Sequence, residues 1–424
     1  MGERGPAGSR HRHLSAAGVR DAGRRRRTMS ANSANSAKRP AVTGSRAYAV
    51  VCAECTAVHE LPAYRCDHCA GPLVLRMAAV AAGGVHPGDG SGVWRYGGLL
   101  PTTRHAVTLG EGGTPLLHAP WLAANGGSVH LKLESLNPTL SFKDRAMALA
   151  VSMALDLDMS GLVLASTGNA AVSAAAYAAA AGLRCKLYCG RQSQAAGKLA
   201  IATSHGAGVH VVDGDFSTAY QAAATAEGEG WFNVTTTYRN PVLTEAYRGL
   251  ACELVTDLGR APDAVVVPVG AGPLLTGVSA GFGDLLAANA IGRVPRMIGV
   301  QAAACAPLAR AWAADDWASS LASPIPSEPT VAGAIADSLR GYEREGLLTL
   351  AAVRDSGGCM TAVPEETILE AARALAARGI AAEPAAAASV ASVRELAEPG
   401  ASVVALVTGH AAKEAFDDRL GQQG

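Results

Sequence analysis

The chain has 424 residues, 49% of them hydrophobic and 17% charged, which favours an ordered globular protein with a sizeable core over disorder. Its formal net charge is zero, so nothing electrostatic points to nucleic acid or an anionic membrane as partner. No apolar run reads as a membrane span, and the nine cysteines, four clustered and five scattered, do not resemble a secreted disulfide framework. A cytoplasmic location is the expectation.

Residues 1–45 carry an arginine run (Arg24–Arg27) and almost no aliphatic periodicity, as in a solvated, disordered tail. They contain no apolar stretch of a secretory signal, and Met29 is an alternative start. A small cysteine-bearing unit (46–80) follows, then a glycine-rich linker at 83–92. Strands are expected at 129–133, 161–165, 185–189, 209–212, 264–269, 296–301 and 402–408. Helices are expected at 144–157 and in the alanine-rich stretch beginning at 170. The segment 264–269 is almost uninterrupted β-branched sequence, as a strand covered on both faces requires. The alternation predicts an α/β protein with mostly parallel sheets.

Four segments carry chemistry. Lys143 stands in Asn137-Pro-Thr-Leu-Ser-Phe-Lys-Asp-Arg145, after a strand and at a helix start, in a chain with six lysines against thirty arginines. A partly desolvated lysine can lose its proton and attack an aldehyde to form a Schiff base, which arginine cannot do. A lysine snorkelling at a helix start is the structural alternative. Ser166, Thr167, Gly168 and Asn169 form a turn from strand to helix, where free N–H groups suit a carboxylate and Asn169 can donate to a ring hydroxyl; an ordinary N-cap is the alternative.

Gly270, Ala271, Gly272, Pro273 and Leu274 make a glycine-rich bend before a helix, suited to a lone phosphate or to a tight structural turn. Leu275 stands where a dinucleotide fingerprint wants its third glycine, and no Walker lysine is present. Thr408 ends the last strand with a hydroxyl, which can bond a pyridine nitrogen or simply cap. The order of amine, carboxylate turn, phosphate loop and hydroxyl, each at a strand end, suits one ligand outside the carboxyl ends of parallel strands.

The chain resembles the fold type II pyridoxal-phosphate enzymes, tryptophan synthase β-like in fold, and within them the threonine synthases. The resemblance runs from about Leu109 to Lys413, strongest in Gly110-Glu-Gly-Gly-Thr-Pro-Leu116, Leu136–Arg145, Ala165-Ser-Thr-Gly-Asn169 and Thr408-Gly-His410. It implies two open, mostly parallel α/β/α domains, a large one from residues 81–160 and 246–424 and a small one from 161–245. It implies pyridoxal 5′-phosphate bound through Lys143 as catalytic amine. Asn169 would lie beside the cofactor, the Gly270–Leu274 loop around its phosphate, and Thr408 at its ring nitrogen. Ser166, Thr167 and Gly168 would face the substrate carboxylate. Arg239, in Tyr238-Arg-Asn-Pro241, and Glu383, in Glu383-Pro384, are further candidate substrate residues. The implied reaction converts O-phosphohomoserine and water to L-threonine and phosphate, in a homodimer.

Leu140 and Ala146 stand where that family usually has glycine, and Arg248 replaces its usual lysine. A threonine or serine deaminase, or another β-elimination or β-replacement enzyme, is the alternative on the same fold. A zinc-bearing regulatory protein that has lost catalysis is the alternative of another class.

Cys52-x-x-Cys55 and Cys66-x-x-Cys69 form two knuckle-like pairs separated by ten residues, a set suited to tetrahedral structural Zn²⁺ with no open coordination position. Redox-labile or unmetallated thiols are the alternative. His59 and His68 can substitute as ligands but are not needed.

Overall fold

Thirteen strands in three sheets organise the chain in a computed structural model that describes Gly2 and residues 46–414, apart from 82–84, 124–125, 192–195, 229, 324–327 and 397–398. The arginine run and part of the glycine-rich linker lie outside the described residues. Strands β1 (Tyr48–Cys52), β2 (Val58–His59) and β3 (Leu73–Met77) form an antiparallel sheet of order β2-β1-β3 around the clustered cysteines.

Next in the chain are β4 (Leu116–His118), β5 (Ser128–Lys132), β6 (Gly161–Ala165), β7 (Arg184–Gly190), β8 (Gly208–Val212) and β9 (Trp231–Asn233). The last four are β10 (Ala264–Pro268), β11 (Arg296–Ala302), β12 (Cys359–Val363) and β13 (Ser402–Leu406). They build a six-stranded sheet, β12-β11-β10-β13-β5-β4, and a four-stranded sheet, β8-β7-β6-β9. All pairings in these two sheets are parallel except that of β4 with β5 at the edge. The mostly parallel α/β class expected from the alternation is therefore what the chain forms.

Because successive side chains point to opposite faces and both faces are covered, β10 is apolar throughout and β13 nearly so. In β10, Ala264 and Val266 enter one buried cluster while Val265 and Val267 enter another on the opposite face. In β13, Val403 and Ala405 alternate with Val404 and Leu406 in the same way. The Pro384–Leu396 helix covers one face through Ala385–Ala388, Val390 and Val393; the Pro273–Ala287 helix covers the other through Leu274, Leu275, Val278 and Phe282. Alanine lets the Asn169–Ala181 helix approach closely, and all of its residues through Ala178 are buried. Among the described residues no helix is long and apolar enough to cross a membrane.

Below the Lys143 turn lies a charged core. Arg145, fully buried, donates to Glu134 and Glu253 at 2.7–2.8 Å, and buried Lys132 reaches Glu253 at 3.0 Å. A buried guanidinium needs such full pairing, because an unpaired charge there costs several kcal/mol.

Candidate active site

The carboxyl ends of β6, β9, β10 and β13 converge on one cavity of ≈ 200 Å³, far larger than the space for a few waters. Lys143 starts the Lys143–Asp156 helix on its wall. The turn before it is stitched to the end of β13: Phe142 N–H donates to Thr408 O at 3.1 Å, and His410 N–H donates to Leu140 O at 3.2 Å. Leu140 takes φ +63°, a conformation natural to glycine and costly for leucine.

The Lys143 amine donates to Thr236 Oγ1 at 3.0 Å and lies 4.5 Å from the centre of the Phe142 ring. Burial pushes its pKa down from 10.5 to about 8, against the opposing pull of Asp337 and Glu383. The amine is thus far nearer its nucleophilic form at neutral pH than an exposed lysine is.

Ser166, Thr167, Gly168 and Asn169 line the same cavity. Gly168 N–H donates to Ser166 Oγ at 3.1 Å, fixing the turn at the start of the Asn169–Ala181 helix. A Cβ at Gly168 would enter open space, whereas one at Gly409 would meet Glu383 Oε1 at 2.1 Å. Asn169 Nδ2 donates to Glu383 Oε1 at 2.8 Å, while Asn169 Oδ1 is buried without a partner. The second Nδ2–H remains available to donate to a ligand hydroxyl, and Oδ1 is available to accept.

Gly270 through Leu274 curve round the far wall into the Pro273–Ala287 helix. Gly272 has φ +111°, and a Cβ there would strike Thr349 Oγ1 at 2.1 Å, so only glycine fits. The first N–H groups of a helix have no partners within it and its dipole favours an anion there, so this bend can take a phosphate. Thr408, buried, completes the floor. The amine of lowered pKa, the partnerless Asn169 oxygen and the glycine cradle fit pyridoxal phosphate.

Two expected substrate residues are engaged elsewhere. Arg239 does not line the cavity: its Nε donates to Glu227 at 2.9 Å, and the guanidinium lies 5.4 Å from the Tyr220 ring and 5.7 Å from that of Tyr64. Glu383 does line the cavity, yet its carboxylate is engaged by Asn169 and, at 3.4 Å, by Lys198, so it braces neighbours. Arg248 is likewise bound to Glu245 and Asp284.

Sequence reasoning missed the Thr235–Thr237 run and the 333–337 segment, both in the lining. Three successive hydroxyls directly after a strand were a usable signal for the first. The second has no periodicity and is recognisable only once the chain is folded.

The cysteine unit is built of two equivalent knuckles. Thr56 N–H donates to Cys52 O and Ala70 N–H to Cys66 O, with Thr56 at φ +62° and Ala70 at φ +56°. All four sulfurs lie within 4.8 Å of one another, with Cys52–Cys69 and Cys55–Cys66 both at 3.5 Å. Sulfurs about 2.3 Å from a shared tetrahedral Zn²⁺ would have comparable separations, so the set fits that ion. Burial alone would raise the Cys52 thiol, but the N–H groups of Cys55 and Glu54 directed at its sulfur hold it at about 6.

Comparison with known proteins agrees with this geometry. The profile of the family described as pyridoxal-phosphate dependent enzyme matches residues 107–409. The threonine synthase of Mycobacterium leprae (strain TN) is 38% identical over 315 residues, covering 73% of this chain and 84% of that protein. That of Methanosarcina acetivorans is 36% identical over 331 residues, covering 76% and 80%. Among solved structures, a fungal L-serine ammonia-lyase from Rhizomucor miehei shares the fold with a TM-score of 0.59 at 21% identity, over 73% of this chain and 98% of that one. The chain belongs to the pyridoxal-phosphate-dependent enzyme family, in its threonine synthase group.

Proposed function

We propose that this protein is a threonine synthase, a carbon–oxygen lyase that forms L-threonine and phosphate from O-phosphohomoserine and water. The observation that carries the reading is the Lys143 amine, seated against Thr236 in a cavity shared with the Ser166–Asn169 turn and the Gly270–Leu274 bend. Identity of 36–38% to two threonine synthases supports it.

Bound pyridoxal phosphate supplies an aldehyde that bonds an amino group and a ring that accepts electrons released at the α carbon. Lys143 would provide the amine that holds it and would carry protons at Nζ, oriented by its hydrogen bond to Thr236. The Ser166–Gly168 turn would receive the substrate carboxylate, and the Asn169 amide would bond a ligand hydroxyl. Gly270–Leu274 would hold the cofactor phosphate, and Thr408 would serve its ring nitrogen. Zn²⁺ on Cys52, Cys55, Cys66 and Cys69 serves structure. We assign the large domain to residues 81–160 and 246–424 and the small domain to 161–245, and place the enzyme in the cytoplasm as a homodimer. Purified holoprotein given O-phosphohomoserine should release phosphate and threonine in equal amounts; cofactor-loaded protein that releases neither would refute the assignment.

One observation favours a second reading, a deaminase or β-eliminating enzyme for an unphosphorylated amino acid. Lys143 is the one cation lining the cavity among the described residues, and Arg239 and Arg248 are held by carboxylates. Release of ammonia and a keto acid from threonine or serine, without action on O-phosphohomoserine, would establish that reading.

A further inference from the structure

The cysteine unit reaches the active site through the residues immediately before its second knuckle. Arg65, next to Cys66, donates from one guanidinium nitrogen to Glu345 Oε1 at 2.6 Å. Glu345 is wholly buried, and its other oxygen accepts the Tyr238 N–H at 2.9 Å; the Thr237 hydroxyl also bonds it. Thr237 and Tyr238 directly follow Thr236, whose hydroxyl holds the Lys143 amine. Glu345 thus grips the strap on which Lys143 rests.

A second arm leads to the opposite wall. The same Arg65 nitrogen lies 3.4 Å from Tyr220 Oη, and the Tyr220 ring stacks on Tyr342 at 4.9 Å. Tyr342 Oη donates to Asp337 at 2.6 Å, and Asp337 lines the cavity and faces the lysine electrostatically. Tyr64, one residue earlier, accepts the Asn233 N–H at 2.8 Å, fixing the strand end from which the strap departs.

We propose that Arg65 is a positioning residue through which the cysteine unit sets the seat of the Lys143 amine. It rests on Lys143 being the cofactor-binding amine. A buried carboxylate is tolerated only with a cation and full hydrogen bonding. With Arg65 removed, Glu345 takes up a proton or turns, and either change loosens its hold on Tyr238 and Thr237. Burial already pushes Glu345 up to about 7 with Arg65 in place, so little further perturbation is needed. A metal that fixes Cys66 fixes the backbone from which Arg65 reaches.

The test uses full-length holoprotein carrying Arg65→Ala, Arg65→Lys, Glu345→Gln, or Arg65→Ala with Glu345→Gln. The readouts are the cofactor dissociation constant, the visible band of bound cofactor, and kcat and KM separately. Arg65→Ala should weaken cofactor binding about tenfold and shift the band, as expected for loss of a charged hydrogen bond. Arg65→Lys should recover part of the loss, and the double variant should be no worse than Glu345→Gln alone. Chelator treatment of the parent should reproduce the shift and add nothing to Arg65→Ala. Parent-like cofactor affinity and band in Arg65→Ala, with only a lower melting temperature, would overturn the inference, as would fully additive effects in the double variant. Should Arg65→Ala fail to fold, Arg65→Lys and Glu345→Gln decide by the same readouts. A parent that takes up no cofactor would instead refute the role of Lys143.

Discussion

Lys143 and Thr236, 93 residues apart, meet with Nζ 3.0 Å from Oγ1, joining the segment after β5 of the larger sheet to the segment after β9 of the smaller one. The hydroxyl is well placed to orient the amine. Replacing Thr236 by valine keeps the shape and removes the partner. The expected result is a fall in kcat of about tenfold or more, with cofactor retained and KM little changed, while Thr236→Ser keeps most activity. Steady-state kinetics on the holoprotein check this.

The Lys143 amine, held down at about 8 by burial, gives a second prediction. Only the neutral amine attacks the cofactor aldehyde, so cofactor uptake by apoprotein should quicken with a midpoint near pH 8 and level off well above it. Asp337 opposes the shift by favouring the charged amine, so Asp337→Asn should move the midpoint to lower pH. Stopped-flow absorbance across pH measures it; a midpoint near that of free lysine would contradict it.

Much of this was legible in the sequence. All seven expected strands occur within a residue or two of their predicted places; the fully buried β6, β10 and β13 were the plainest, as nearly unbroken apolar runs. Lys143, Ser166, Thr167, Gly168, Asn169, Gly270–Leu274, Thr408 and Glu383 all meet at one cavity, because strand ends in such sheets share a side. Strand β9 is three residues long and gives no period, and β12, Cys-Met-Thr-Ala-Val, is only partly buried. Arg239 was misplaced because sequence does not say which carboxylate a guanidinium meets, here Glu227. Arg65 was invisible for the same reason: its partner lies 280 residues away.

The charged core supplies a stability prediction. Arg145→Met leaves buried Glu134 without its cation and Glu253 with Lys132 alone, and should destabilise the fold by about 3–5 kcal/mol, read as a lower denaturant midpoint at unchanged slope. Burial would raise Glu253, but Arg145 and Lys132 hold it at about 2, below its ordinary 4.5. Its contribution is therefore complete above about 4.5 and lost as pH falls toward 2; in Arg145→Met that part of the acid profile should flatten.

For the cysteine unit, purified protein should carry one Zn²⁺ per chain. Cys52→Ser or chelation should lower the melting temperature by more than about 5 °C, since a closed structural site contributes folding energy directly. Metal analysis with calorimetry decides, and a metal-free protein of unchanged melting temperature would contradict the assignment.

The most direct test is to reduce the holoprotein with borohydride, digest it and map the peptide that carries the cofactor. With six lysines in the chain, the label should fall on Lys143 and nowhere else, and Lys143→Ala should yield no labelled peptide. Label on Lys132, Lys198 or Lys413, or none in a protein that still catalyses, would contradict the role given to this amine.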